Sequence, residues 1–172
     1  DNADAYYQHA PIDPQRRYRV SGYRGDAVYL SLTVYGGPDD GHYSTRIVGS
    51  VSDADLTFDD EGRFSFWIAP EAIDDGPGIV TGGDSVVAIT RDYLADPFTE
   101  RRTTWHIESL DEAPPYELTD ADLAHRMTCA LTWIRDQAAI VPLGEFGELP
   151  DGVQLIRDER GVRLARDPEE AD

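Results

Sequence analysis

The sequence predicts a mainly β protein, a jelly-roll-like antiparallel β-sandwich with a C-terminal helix. Three observations carry this expectation. About seven short runs alternate apolar and polar residues with period two. Clusters of Gly, Pro and Asp separate those runs with turn chemistry. A single stretch of helical periodicity, 119–140, follows the last of them. With 172 residues the chain fits one domain, long enough to bury roughly 70% of its unfolded surface.

The elements follow in order. Residues 17–23, "RYRVSGY", and 27–36, "AVYLSLTVYG", read as strands, with "YRGD" as the turn between them. In the second run Val28, Leu30, Leu32 and Val34 share one face, and Tyr29, Ser31, Thr33 and Tyr35 share the other. Residues 45–51 form a third strand. "LTFDDEGRFSFWIA" reads as a hairpin, with Leu56 and Phe58 before the "DDEG" turn and Phe64, Phe66 and Ile68 after it. Residues 70–84 are rich in Gly, Pro and Asp and read as a long loop. The runs 85–93 and 103–110 read as partners in a further hairpin. The helix starts at a Thr119 cap with Asp122 in the capping-box position. Its stripe of Leu123, Met127, Leu131, Ile134 and Ala138 is expected to pack against another surface. The sandwich and helix make up residues 1–143. A tail, 144–172, carries a short hairpin about "DERG" and an end, "DPEEAD", expected to be disordered.

Composition removes some function classes. The net charge of −19 repels nucleic acid phosphates and anionic membranes, so neither is an expected partner. All 15 basic side chains are Arg, a bias that GC-rich coding or a salt-adapted acidic surface produces. No apolar run approaches the roughly 20 residues of a membrane-spanning helix. The single Cys129 is compatible with a reducing compartment, so a cytoplasmic location is the expectation. The chain opens on Asp1 rather than Met. It is therefore read as processed or as a piece of something longer, with any N-terminal signal lost.

The segments "DNADAYY", "YRVSGYRGDAVYLSLTVY", "DDEGRF", "AITRDY" and "IESLD" occur in order over most of residues 1–140. In them the chain resembles the bacterial domain-of-unknown-function family numbered 1214. The resemblance implies a jelly-roll-like sandwich that is commonly the C-terminal part of a longer chain. One departure is that an "NWL"-like stretch of the family is replaced here by "PGIVTGG". The family carries no activity to transfer, so function rests on the site.

The common catalytic and nucleotide-binding motifs are absent from the sequence. No cofactor is expected. Four groups of residues remain. In "GGPDDGHY", Asp39, Asp40 and His42 are suitable metal donors, although the same residues make an ordinary solvated turn. Arg91 shares a largely apolar face with Val87, Ile89 and Tyr93, while His106 and Glu108 share a face on the next strand. If those faces meet inside the sandwich, Glu108 orients His106 as acid or base and Arg91 holds an anionic group. The alternative is a structural Arg91–Glu108 pair with His106 in solvent. Tyr29, Tyr35 and Trp67, with Tyr18 nearby in pattern, offer flat faces for a glycan or planar metabolite that Arg91 anchors. On the helix, His125 and Cys129 share a stripe with Thr132 and Asp136, opposite Leu123. That pair suits nucleophilic or metal chemistry, or the stripe faces solvent, a partner subunit or a missing N-terminal segment. The leading expectation is small-ligand binding through Tyr29, Tyr35, Trp67 and Arg91. The alternatives are an enzyme using His106, Glu108 and Arg91, and an assembly module that forms a homo-oligomer or docks on a missing segment.

Overall fold

The structure, a computed structural model, describes residues 5–112, 117–140, 153–158 and 161–166. The strands of the sandwich are β1 (Ala5–Pro11), β2 (Tyr18–Tyr23), β3 (Tyr29–Gly36), β4 (Arg46–Ser52), β5 (Arg63–Ala69), β6 (Gly78–Val80), β7 (Ser85–Tyr93) and β8 (Thr104–Ser109). They form two four-stranded sheets, ordered β1-β7-β3-β4 and β6-β5-β2-β8. All pairings are antiparallel except β5 with β6. Helix α1 (Asp120–Ile140) follows, and β9 (Val153–Asp158) pairs with β10 (Gly161–Arg166) in a separate antiparallel hairpin. The chain divides into two compact units, residues 1–133 and 134–172. The expected disordered end "DPEEAD" lies outside the described residues.

The expected alternation of the long central strand builds the core. Leu30, Leu32 and Val34 of β3 are buried together with Val20 of β2 and Phe64, Phe66 and Ile68 of β5. Burying each such side chain is worth about 1.5–3 kcal/mol. Phe64 meets the edge of Trp105 at 5.0 Å and of Phe58 at 5.9 Å, extending the core toward β8 and the β4–β5 connection.

Several expected pairings change. The "YRGD" turn between residues 17–23 and 27–36 carries the chain from the second sheet to the first. Likewise β7 and β8 lie in different sheets. A strand with one apolar face satisfies that face across the sandwich, and alternation alone does not say which strand lies beside it. Leu56 and Phe58 pack on the core without forming a strand. The turn after them does form, with the Asp59 carboxylate accepting from the Glu61 and Arg63 amides at 3.0 and 2.8 Å. β1, in "AYYQHAP", and the short β6 are strands that the period-two reading did not select.

The helix begins as expected. Thr119 Oγ1 accepts from the Asp122 amide at 3.1 Å, while the Asp122 carboxylate accepts from the Thr119 amide at 3.0 Å. The hydrogen bonds from Thr119 hold the Asp122 carboxyl below its ordinary range. The facing of the helix is reversed from expectation. Leu123, Met127, Leu131 and Ile134 are exposed, whereas the polar stripe containing His125 and Cys129 lies against the β3–β4 loop.

Candidate functional site

Alternation along β3 and β7 places Tyr29, Ser31, Thr33 and Tyr35 beside Tyr93, Arg91, Ile89 and Val87 respectively. These point away from the core, on the outer face of the first sheet. β1 adds Tyr7 beside Arg91 and His9 beside Ile89. β4 adds Ser52 beside Ser31, Ser50 beside Thr33 and Ile47 beside Tyr35. None of these positions is acidic, although the chain has 34 Asp and Glu residues.

Arg91 stands at the centre of this face. Its Nη1 donates to Thr33 Oγ1 at 3.2 Å and its Nη2 to Tyr35 OH at 2.6 Å. The guanidinium carbon lies 5.6 Å from the Tyr7 ring centroid and 5.9 Å from that of Tyr35, within cation–π range. Thr33 Oγ1 also shares a hydrogen bond with Ser50 Oγ at 3.1 Å, which fixes the hydroxyl that Arg91 uses. The hydrogen bond to Tyr35 is the largest influence on Arg91 and raises its pKa above the ordinary value, so the charge is permanent. Arg16, Arg17, Arg24, Arg46, Arg63 and Arg101 each pair with a carboxylate, whereas the hydrogen bonds of Arg91 go to hydroxyls. A cation held by neutral hydroxyls and ring faces keeps its field for a ligand.

Beside Arg91 lies a shallow depression of about 590 Å³, lined by Val28, Tyr29, Ser31, Thr33, Arg91 and Tyr93. Tyr29 and Tyr93 meet edge to face at 5.7 Å and form its aromatic wall. Tyr29 is 40% exposed, so part of its ring is open for contact. The floor is the paired backbone of β3 and β7, a rigid support for a binding face.

The ionisable side chain inside the sandwich is Asp92, not Arg91. Asp92 is paired with Leu30 across the β3–β7 register and is buried among core residues. Burial pushes its carboxyl pKa up, against the smaller opposing influence of the Thr103 amide. Among the described residues Asp92 Oδ2 and the buried Trp105 Nε1 have no well-formed hydrogen bond to a third group, and the Trp105 side chain exerts a small stabilising influence on the ionised Asp92 carboxylate.

The expected group of Arg91, His106 and Glu108 is not assembled. Arg91 faces out from the first sheet, whereas His106 and Glu108 lie on β8 of the second, in register with Ser21 and Arg19. Their shared face is the outer one, because the intervening Ile107 packs on the core. The structural pairing of Arg91 with Glu108 fails for the same reason. Trp67 also leaves the expected ligand site. It lies on β5 of the second sheet, donates through Nε1 to Asp74 at 3.1 Å, and packs on the backbone of Gly78. A Cβ on Gly78 would come within 2.1 Å of the indole. Tyr18 is structural too, its hydroxyl accepting from the Asp13 amide at 2.8 Å. Tyr29, Tyr35 and Arg91 therefore share one face without Trp67, and Tyr7, Tyr93, Ser31 and Thr33 join them. Tyr93 was already in register with Arg91 in the sequence. Tyr7 and His9 are two apart, but the single polar Gln8 between them is a thin signal for a strand.

In the β3–β4 loop, Asp40 Oδ1 accepts from the His42 amide at 3.0 Å, which is turn chemistry. Asp39 extends from the same loop to the helix, its Oδ2 lying 3.4 Å from His125 Nε2. No helix among the described residues is long and apolar enough to cross a membrane.

No family model and no curated protein matches the chain. Among solved structures, it is similar to a putative uncharacterized protein from Burkholderia cenocepacia, with a TM-score of 0.67 and 23% identity over 93% of this chain. A protein of Vibrio parahaemolyticus aligns over 63% of the chain with a TM-score of 0.47 and 18% identity. The chain spans 44% of the length of the Burkholderia protein and 31% of the Vibrio one. The Burkholderia likeness supports the β-sandwich assignment at the level of fold.

Proposed function

We propose that the outer face of the first sheet binds a small planar molecule bearing a carboxylate. The observation that carries this reading is Arg91, a charged guanidinium held by Thr33 and Tyr35 on a face whose paired positions lack acidic residues. Its fork suits bidentate contact with a carboxylate. Tyr29 and Tyr93 supply the aromatic wall for a flat ring. A neutral glycan would use the ring faces but leave the charge unused, so the planar acid is favoured.

Calorimetric titration with benzoate, benzamide and methyl glucoside tests the reading. The expected order is benzoate first, benzamide weaker and the glucoside undetectable. Absence of benzoate binding, or equal binding of benzoate and benzamide, would overturn it. The exposed Leu123, Met127 and Leu131 support a second role, docking of the helix on another chain. Native mass spectrometry of the chain tests that role for a second copy as the partner: multiples of the chain mass support self-assembly, and monomer throughout the concentration range excludes self-assembly.

A further inference from the structure

We propose that Asp39, His125 and Cys129 form a binding site for a Zn²⁺-type transition-metal ion. The three donors come from two elements that sequence spacing kept apart. His125 and Cys129 are four residues apart on one face of α1, and Asp39 reaches them from the β3–β4 loop. Their ligand atoms all lie within 4.8 Å of one another.

The separations are close to those of tetrahedral coordination. Zinc bonds of about 2.3 Å to sulfur and about 2.0–2.2 Å to nitrogen or oxygen require S···N and N···O edges of about 3.6 and 3.4 Å. Cys129 Sγ lies 3.6 Å from His125 Nε2 and 3.9 Å from Nδ1, beside the ring, and Asp39 Oδ2 lies 3.4 Å from Nε2, so a turn of the exposed imidazole brings its lone pair toward the other two donors. A thiolate, an imidazole and a carboxylate suit a borderline cation, and three protein ligands leave the fourth position to water. On binding, Cys129 releases its thiol proton to solvent and ligates as thiolate, so affinity rises with pH.

The packing around the site supports the same assignment. Gly41, with φ +90°, brings the loop backbone so close to the helix that a Cβ there would lie 2.2 Å from the Cys129 carbonyl oxygen. The helix makes this approach with its polar stripe while Leu123, Met127 and Leu131 stay exposed. Hydrophobic burial favours the opposite facing, and metal bonds across the His125–Cys129 stripe supply a force that favours the observed one.

The test is titration of the metal-stripped, reduced chain with Co²⁺, followed by displacement with Zn²⁺. The expected result is one Co²⁺ per chain, with tetrahedral visible bands and a thiolate-to-cobalt charge-transfer band that Zn²⁺ abolishes. Cys129→Ser removes the charge-transfer band. His125→Ala and Asp39→Asn each weaken binding by at least about 100-fold, beyond the roughly 10–100-fold that follows loss of an outer-shell partner. Glu61→Gln, on a distant turn, leaves the titration unchanged. All three positions are on the surface or half-buried, and circular dichroism checks the fold of each variant. A wild-type chain without the charge-transfer band at millimolar Co²⁺ overturns the proposal. Unchanged affinity in His125→Ala or Asp39→Asn overturns it equally.

Discussion

Replacing Arg91 with Gln separates binding from stability. The guanidinium has five N–H donors, of which one on Nη1 serves Thr33 and one on Nη2 serves Tyr35. With a further donor directed at Tyr7, two remain, enough for a bidentate carboxylate. A hydrogen bond to a charged group is worth about 1.5–3 kcal/mol. The low end suits an open face, so two such bonds give about 3 kcal/mol, or roughly 100-fold in affinity. The fold loses far less, because Thr33 keeps Ser50 as a partner and Tyr35 OH can turn to water or to the new amide. The expected stability change is within about 1 kcal/mol. Benzoate titration and urea denaturation of the same preparations read the two quantities. Benzoate affinity within about threefold of wild type in Arg91→Gln would refute the reasoning. A stability loss of several kcal/mol would show instead that Arg91 is a core element.

Other expectations concern the opposite sheet and the titrating groups. Trp67→Ala is expected to leave benzoate affinity unchanged and to lower stability by about 2 kcal/mol, since a half-buried indole gives up less than a core one; denaturant midpoints and titration check both. His106→Ala is expected to leave benzoate affinity unchanged, because β8 belongs to the other sheet. Asp92 has a raised carboxyl pKa, so the fold favours its protonated form. Its penalty therefore grows as pH rises through and above the unfolded value, then levels off above the folded one. Asp92→Asn should gain on wild type over that rise, and denaturation across pH 3–7 measures the difference. Asp26 behaves oppositely: its hydrogen bond from the Arg101 side chain lowers its pKa to about 2. Its stabilisation is present above the unfolded carboxyl value and is lost as pH falls through the folded one. In Arg101→Gln, thermal denaturation should show a shallower loss of stability between about pH 4 and 2.

The sandwich was legible because β3 and β5 alternate strongly, and the helix start because Thr119 and Asp122 carry their own capping chemistry. Strand adjacency was not legible, since Leu30 and Ile68 satisfy the same burial whether their strands pair or face each other. The two central misplacements have one cause. Arg91 lies on a half-buried face with Val87 and Ile89, and its apolar neighbours resemble a core. Trp67 occupies an outward position, where its exposed polar edge gives no sign of the Gly78 backbone beneath it. Asp39 and His125 meet only through the fold of a loop onto a helix, and no local pattern encodes that meeting.

The most direct test of the binding account is amide and side-chain chemical-shift mapping of the ¹⁵N,¹³C-labelled chain during a benzoate titration. The account predicts saturable shifts confined to Tyr29, Ser31, Thr33, Arg91 and Tyr93, with the Arg91 side-chain resonances among the largest. Shifts centred on Trp67 or His106, or no saturable shifts at all, would contradict it.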